Sequence, residues 1–226
     1  MGNASKPRKI RLSTTPTPEA LAELRLGDVV YLDGLIYTAR EGVYKRALED
    51  KANIPMELPG ESAANFHCSP AAAINEDGTF RLGAVTATAS FRFTKWIGEW
   101  MAKSGAKLII GKGGMSSKDY REHFVPNGAI YLTTVGYGTG ALLGRGVKRV
   151  KTVHWNKELG LAQAMWVLEA DNMGPFIVES DLAGNSLFER ENAKISANLA
   201  KVYEGTVPAV LKRFGETDDR SDEVIG

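Results

Sequence analysis

The sequence has little of what several protein classes need. Cys68 is the one cysteine among 226 residues, which excludes a disulfide framework and any cysteine-rich zinc site or iron–sulfur cluster built from this chain alone. No stretch approaches the ~20 apolar residues of a membrane span, so we expect no membrane contact. The 28 Lys and Arg against 27 Asp and Glu give a net charge of +1. The lack of a basic excess argues against a general nucleic-acid binder.

The two ends of the chain are polar and are expected to be tails. Residues 1–11 have no apolar segment of the kind found in secretory signals, so we expect a disordered tail over residues 1–9 of a cytoplasmic protein. Residues 214–226 are rich in charge and predict a second tail. Between the tails, strand-like and helix-like segments alternate. Residues 10–213 are therefore expected to form one α/β domain with strands of mixed direction.

Two local patterns stand near the start of this domain. Thr17 followed by Pro18 is typical of a helix start, with threonine as the N-cap and proline at the first helical position. Val29–Leu32 and Leu35–Thr38 flank Asp33-Gly34. Two β-rich runs around Asp-Gly predict a hairpin.

The middle of the chain predicts a loop and then a helix. Residues 53–69 contain two prolines and a glycine and are expected to be mostly loop. Residues 91–104 carry aromatic and aliphatic side chains at helical spacing, with Ser90 placed to cap the helix and Gly105 to end it. We interpret these aromatic side chains as core packing.

The first candidate site is the turn Thr86–Arg92, where a predicted strand gives way to this helix. Unpaired N–H groups and the helix dipole make such a turn attractive to anions. Arg92 adds a planar guanidinium that matches a carboxylate. A surface arginine without a ligand fits the same spacing, so both interpretations stay open.

The second candidate site is Gly111-Lys112-Gly113-Gly114, directly after the predicted strand 107–110. Glycine lets the backbone approach a ligand closely, and packing gives little reason for a lysine between glycines. The segment is not a P-loop, because the second Gly-Lys-Ser/Thr element is absent. A tight turn with a solvated lysine is the alternative.

These positive groups are expected to converge, because α/β sheets bind ligands at the carboxyl ends of neighbouring strands. Arg40, just after the predicted hairpin, would join Arg92 and Lys112. Two arginines and a lysine suit a small dianion such as a dicarboxylate. No obvious general base accompanies them in the sequence.

The remaining candidate groups have simpler interpretations. His67, His123 and His154 show no metal-ligand spacing, so we interpret each as structural and predict no metal ligands. Cys68 is expected to be a small buried hydrophobe. Gly136–Ala141 formally fits the dinucleotide fingerprint, but two further glycines interrupt the helix that should follow.

Several segments make the sequence similar to a known family. The chain resembles the β subunit of the iron–sulfur hydro-lyases, the L(+)-tartrate dehydratase and class I fumarase family, over residues 10–190. The matching segments are Leu26–Leu32, Tyr37–Arg40, Ile109–Met115, Val153–Trp155, Glu158–Gly160, Gly174–Val178 and Gly184–Leu187. Gly-Lys-Gly-Gly-Met followed by Gly-Pro-Phe-Ile-Val is a specific combination.

The resemblance implies a single swivelling β/β/α domain with a mixed sheet. It also implies a hydro-lyase that reversibly dehydrates a small 2-hydroxy dicarboxylate of the tartrate or malate type. Activity would require a partner α subunit, in a heterodimer or an α2β2 assembly. That partner would carry a [4Fe–4S] cluster on three cysteines, and this chain would not ligate the cluster.

The same resemblance assigns roles to residues. In the family, a Thr-Thr-Ser-x-Arg-Met element supplies a substrate-binding arginine and a candidate base. Arg92 matches that arginine, and Ser90 matches the serine and joins the substrate-binding group. Arg40 and Lys112 match the other positive groups, with Lys112 also a catalytic candidate. Thr88 matches the base, which would remove a proton from the carbon next to a carboxylate.

The neighbours of these residues depart from the family pattern. Thr86–Phe93 replaces Gly-Pro-Thr-Thr-Ser-x-Arg-Met, so that Ala87 and Ala89 stand for the proline and the second threonine. Phe91 is bulky and apolar. An acidic-x-x-His element has become Glu41–Tyr44. Two alternatives follow: a relative that acts on a substituted hydroxy acid, and a non-catalytic module that binds an anion.

Overall fold

The structure is a computed structural model that describes residues 6–58, 60–136 and 138–205. The predicted tail at residues 214–226 lies outside these residues, as does the 1–5 part of the other predicted tail. The described residues fall into two units that divide after Arg190, and the first unit holds every strand.

The strands of the described residues form two sheets. The larger has the order β1-β2-β3-β6-β7-β9-β8, and the smaller is the antiparallel pair β4-β5. The strands are β1 (Lys9–Ser13), β2 (Val29–Thr38), β3 (Ala64–Phe66), β4 (Cys68–Ile74), β5 (Phe80–Ala87), β6 (Leu108–Gly111), β7 (Ile130–Thr134), β8 (Val147–His154) and β9 (Met165–Val178).

The larger sheet is mixed and closes on itself. The pairs β1–β2, β2–β3, β3–β6 and β6–β7 are parallel, whereas β9 is antiparallel to β7, β8 and β2. Because β9 pairs with both β2 and β7, the strands β2, β3, β6, β7 and β9 complete a ring. This architecture confirms the predicted α/β domain with a mixed sheet.

The described residues also form eight α-helices. They are α1 (Pro18–Ala22), α2 (Glu41–Tyr44), α3 (Thr94–Ser104), α4 (Ser117–Asp119), α5 (Val125–Asn127), α6 (Gly140–Arg145), α7 (Asn156–Leu159) and α8 (Leu187–Tyr203). π-helical turns at Lys45–Glu49 and Tyr120–Phe124 continue α2 and α4, and a 3₁₀ turn at Ser90–Phe93 precedes α3. Within the described residues, no helix has the length and apolar character to cross a membrane.

Side-chain alternation along the strands separates two apolar clusters. Leu108 and Ile110 face one cluster, and Ile109 between them faces the other. The second cluster buries the aromatic face of α3, including Trp96 and Trp100, as predicted. Burial of each large side chain of this kind stabilises the fold by roughly 1.5–3 kcal/mol.

Helix ends follow their local sequence in three places. The Thr17 hydroxyl accepts a hydrogen bond from the Ala20 amide at 3.2 Å, which confirms the predicted cap of α1. Ser116 and Asp119 form a reciprocal capping box at α4. Gly105 ends α3 with φ of +68°, the left-handed conformation that glycine adopts without strain.

The predicted hairpin is wrong, because β2 continues through Asp33-Gly34. Gly34 has φ of +117° within an irregularity in the pairing of β2 with β9. A Cβ atom there would collide with the Thr14 side chain. The Asp33 carboxylate accepts hydrogen bonds from Arg11 at 2.7 Å and from the Asn172 amide at 2.8 Å. The Asp-Gly pair therefore makes a bulge that is fixed by distant segments.

Two further predictions need correction. Residues 53–69 are mostly irregular, but they contain β3 and the start of β4. β3 spans three residues and is defined by parallel pairing with β2 and β6, a long-range contact without a local signal. Ser90 does not cap α3: Phe93 occupies that position without a side-chain hydrogen bond, and Ser90 begins the 3₁₀ turn.

Candidate functional site

The two candidate turns lie side by side. The Lys112 amide donates a hydrogen bond to the Thr88 carbonyl at 3.1 Å, and Ala89 forms a parallel bridge with Lys112. The Thr88 amide in turn donates to the His67 carbonyl at 2.6 Å. The segment that follows β5 is thereby inserted next to the glycine loop, which we define as Gly111–Met115.

Arg40 and Arg92 are close enough to repel each other. Arg40 is the N-cap residue of α2, just after β2, and its Nη1 donates to the Ala162 carbonyl at 3.0 Å. Its Nε is buried without a hydrogen-bond partner. Burial and, second, the positive charge of Arg92 lower the pKa of Arg40. A like-charged pair with an unused buried donor is an arrangement that an anion would stabilise.

Arg92 and Lys112 are exposed and available. The Arg92 guanidinium lies 5.9 Å from the centre of the Phe93 ring. Lys112 follows β6 and precedes Gly113, which has φ of +70°. Within residues 6–58, 60–136 and 138–205, neither side chain forms an ion pair.

The predicted site residues do not all face one space. A cavity of about 400 Å³ opens beside the glycine loop, and of the predicted site residues only Lys112 lines it. Thr88 is 7% exposed and is not among the residues that line the cavity. The cavity is lined by Thr86, Ala87, Ala89, Phe91, Lys112, Gly113, Thr134, Gly136, Gly138, Thr139 and Gly140.

Ser90 belongs to a buried polar network that the sequence reasoning missed. Its hydroxyl lies 2.7 Å from His67 Nδ1 and 2.7 Å from the Tyr131 hydroxyl. Tyr44 reaches the other side of the imidazole, with its hydroxyl 2.6 Å from His67 Nε2. Asn65 Nδ2 donates to the Tyr44 hydroxyl at 2.6 Å. A signal existed, because Asn65 and His67 are two residues apart and share one face of an extended chain.

The groups of this network are held in their neutral forms. Burial, with a smaller contribution from Arg40, lowers the pKa of His67 to about 3. Burial raises the pKa values of the Tyr44 and Tyr131 hydroxyls. Burial also raises the pKa of the adjacent Cys68 thiol, against the lowering effect of Arg40. Cys68 is therefore a buried thiol, as predicted, and not a thiolate nucleophile.

A buried carboxylate anchors the far end of the glycine loop. The Met115 amide donates to the Tyr120 hydroxyl at 2.8 Å, and that hydroxyl donates to Glu179. The Ser186 hydroxyl donates to the same carboxylate at 2.5 Å. Burial raises the pKa of Glu179 despite these hydrogen bonds. The backbone of the loop is thus held at both ends, and the exposed side chain of Lys112 projects between them.

The described residues do not fit an iron–sulfur cluster or another metal. Among them, no group of three His, Cys, Asp or Glu side chains lies close enough together to hold a metal ion. The one thiol, Cys68, is buried, and burial raises its pKa so that it stays protonated.

Comparison with known proteins agrees with the motifs. The sequence profile of the fumarase C-terminus family matches residues 1–191. The L(+)-tartrate dehydratase subunit beta of Escherichia coli is 34% identical over 190 residues, 83% of this chain and 90% of that protein. A Methanocaldococcus jannaschii protein provisionally named as the same subunit is 35% identical over 184 residues, 81% of this chain and 93% of that protein.

One further relative is much longer than the chain. A protein of Geobacillus stearothermophilus, provisionally named as a class I fumarate hydratase, is 34% identical over 188 residues, which cover 82% of this chain and 34% of that protein. The profile and these relatives cover most of the chain. The chain therefore belongs to the fumarase C-terminus family, the hydro-lyase family that its motifs indicated.

Proposed function

We propose that this chain is the β subunit of a hydro-lyase that reversibly dehydrates a small 2-hydroxy dicarboxylate of the tartrate or malate type. The observation that carries the proposal is the Arg40–Arg92 pair: Arg40 Nε is buried without a hydrogen-bond partner, and burial and the positive charge of Arg92 lower the pKa of Arg40. The names of the relatives, tartrate dehydratase and fumarate hydratase, support the same chemistry.

The positive groups would bind the two carboxylates. A guanidinium presents two parallel N–H donors to a carboxylate, and such charge-assisted pairs are among the strongest hydrogen bonds in proteins. Arg40 and Arg92 would each take carboxylate oxygens, which offsets their mutual repulsion. Lys112 would add a third positive charge from the glycine loop. Ser90 would support the site indirectly, because its hydroxyl is hydrogen-bonded to His67 and Tyr131.

Thr88 would act as the base of the reaction. Its alkoxide form would take the proton from the carbon next to a carboxylate and become the neutral hydroxyl, while the substrate hydroxyl leaves the neighbouring carbon as hydroxide. The cluster of the partner subunit would supply the Lewis acidity for that departure. A threonine alkoxide requires nearby positive charge, and the Lys112 backbone is bound directly to the Thr88 carbonyl. Lys112 is therefore the proposed stabiliser of that alkoxide.

The [4Fe–4S] cluster implied by the family would sit on a partner α subunit, in a heterodimer or an α2β2 assembly in the cytoplasm. Because the described residues of this chain do not fit the cluster, the steps proposed for the chain are carboxylate binding, orientation and proton transfer.

The cavity beside Lys112 favours a second candidate substrate. Its walls include Ala87, Ala89 and Phe91, so that the space next to the proposed carboxylate site is largely apolar. A hydroxy diacid with an apolar substituent would place that substituent there. This alternative keeps the reaction and changes only the substrate.

Coexpression with a three-cysteine α subunit tests the proposal. Under anaerobic conditions we expect a brown, oxygen-sensitive complex that converts one member of a panel containing fumarate, tartrate, mesaconate and substituted hydroxy diacids. Arg40→Gln and Arg92→Gln should abolish turnover, whereas Arg149→Gln on the distant edge strand β8 should not. A colourless chain that remains alone and still binds diacids would instead identify an anion-binding module.

A further inference from the structure

We infer that the His67 imidazole is a positioning residue, which acts through Ser90 and Tyr131 on the Lys112 carbonyl and so holds the glycine loop in place. The inference rests on the proposed function in one respect, namely that Lys112 binds the substrate. The geometric part stands on the hydrogen bonds alone.

The donors of the network point in one direction. Asn65 donates to the Tyr44 hydroxyl, which leaves the Tyr44 proton to be donated to His67 Nε2. A neutral imidazole that accepts at Nε2 donates from Nδ1, and its neighbour there is the Ser90 hydroxyl at 2.7 Å. His67 is thus an acceptor on one side and a donor on the other, a role that few side chains can fill.

The second half of the network ends on the loop. Because the single proton of the Tyr131 hydroxyl is directed at the Lys112 carbonyl, the Ser90 hydroxyl is the donor in its 2.7 Å contact with Tyr131. Tyr131 then donates to the Lys112 carbonyl at 3.4 Å. A side chain of β7 therefore fixes the backbone from which the Lys112 amine projects.

Packing alone does not explain this network. Its groups come from α2, β3 and the residue after it, the 3₁₀ turn, β7 and the backbone of the glycine loop. The five side chains that take part are fully buried: Tyr44, Asn65, His67, Ser90 and Tyr131. Apolar residues of similar volume would avoid the desolvation of these groups and of Asn65 Oδ1, which is buried without a hydrogen-bond partner. Buried polar networks are instead a means of fixing one arrangement. Here the arrangement that is fixed includes the contact between Lys112 and Thr88.

The network also keeps its direction over a wide range of pH. Because the pKa of His67 is lowered to about 3 by burial and by Arg40, the imidazole stays neutral at any pH at which an enzyme of this kind is assayed. The positioning is therefore constant, unlike that of a histidine switch.

Amide hydrogen exchange of the full chain tests the inference. Tyr131→Phe deletes only the hydroxyl that reaches the loop, and we expect exchange of the amides of residues 112–115 to become about 5- to 10-fold faster, as for one lost hydrogen bond. Tyr37→Phe is the matched control. Tyr37 is equally buried, and its hydroxyl interacts with Ser104, at 3.5 Å, and with the Trp100 side chain, away from the glycine loop. Exchange at residues 112–115 should be unchanged in that variant.

A conservative replacement separates positioning from general destabilisation. The side-chain amide of His67→Asn can still donate towards Ser90, so this variant should keep slower exchange at residues 112–115 than His67→Phe. In the complex, Tyr131→Phe should lower kcat/KM about 5- to 10-fold, because Lys112 is proposed both to bind the substrate and to stabilise the Thr88 alkoxide, whereas Tyr37→Phe should leave kcat/KM unchanged.

Two results would overturn the role of His67: equal exchange at residues 112–115 in Tyr131→Phe and Tyr37→Phe, or equal exchange in His67→Asn and His67→Phe. Failure of the wild-type chain and complex to bind or convert any diacid would instead overturn the proposed function. The exchange measurement would still decide whether His67 positions the loop.

Discussion

Gly111 and Ser90 touch so closely that no side chain fits between them. A Cβ atom at Gly111 would collide with the Ser90 hydroxyl and lie 2.7 Å from that of Tyr131 and 3.1 Å from the Thr88 carbonyl. Gly111 is the last residue of β6, so its lack of a side chain lets the strand that carries Lys112 pass directly over the buried network.

Gly111→Ala is therefore expected to destabilise the protein by about 1–3 kcal/mol, the usual cost of overpacking, as measured by urea unfolding. Gly83→Ala on β5 is the control, because its nearest neighbour would be a carbonyl at 3.5 Å, an ordinary contact. Adding Ser90→Ala to Gly111→Ala should make the double variant less destabilised than the sum of the two. Additive effects would show that the Ser90 contact is not the cause.

The stability of the protein should depend on pH through His67. The folded-state pKa of His67 is about 3, compared with 6.5 for an unperturbed histidine. Between these values the unfolded chain binds a proton that the folded chain does not, so stability rises with pH by about 1.4 kcal/mol per unit. The contribution is complete above pH 6.5 and is lost as pH falls towards 3.

Replacement of the imidazole should remove that slope. We expect the free energy of unfolding of the wild type, minus that of His67→Gln, to increase by about 1.4 kcal/mol for each unit that the pH rises between 4.5 and 6, as measured by urea unfolding. Tyr44→Phe keeps the imidazole and should keep the slope. A His67→Gln difference that is constant with pH would mean that His67 titrates normally in the folded protein.

The two arginines should stabilise the protein only when an anion is present. Arg40→Gln removes the repulsion between the two positive charges. Without ligand, we therefore expect its free energy of unfolding to be within about 1 kcal/mol of the wild-type value or higher than that value. A diacid at about 100 times its Kd should stabilise the wild type by about 2.7 kcal/mol and leave Arg40→Gln unchanged. Thermal unfolding measures both effects, and an equal ligand-induced rise in Tm in both proteins would contradict the assignment.

Removal of the Thr88 hydroxyl should affect turnover more than folding. In the complex, Thr88→Val should lower kcat by about 10²–10⁴-fold, the usual contribution of a general base. Thr88→Ser keeps a hydroxyl and should recover much of the rate. Thr152→Val on β8 makes the same chemical change outside the site and should be neutral. Near-normal turnover of Thr88→Val would assign the base elsewhere.

Sequence reasoning succeeded where local chemistry decides the structure. The cap at Thr17 and the left-handed glycine at Gly105 depend on a few neighbouring residues. It failed at Gly34, because the same Asp-Gly pair suits a hairpin turn and a bulge, and the choice was made by Arg11 and Asn172, far away in the sequence.

In the candidate site, too, the features set by neighbouring residues were predictable and those set by distant strands were not. The glycines around Lys112 marked a loop after a strand, and the structure has that loop. Ser90 appeared as a helix cap because its position near a helix start was visible, whereas its contacts with His67 and Tyr131 require β3 and β7 to be neighbours of the turn. Such contacts follow from the closed sheet and have no local signature.

The hydrogen bonds to the Glu179 carboxylate restrict which substitutions the protein can accept at three positions. It is the shared acceptor for Tyr120, which holds the glycine loop, and for Ser186, which begins the approach to α8. Loss of the carboxylate alone would leave two buried hydroxyls without their acceptor. Loss of either hydroxyl alone would remove a hydrogen bond that stabilises the buried carboxylate. Positions 120, 179 and 186 are therefore expected to vary together in descendants of this chain.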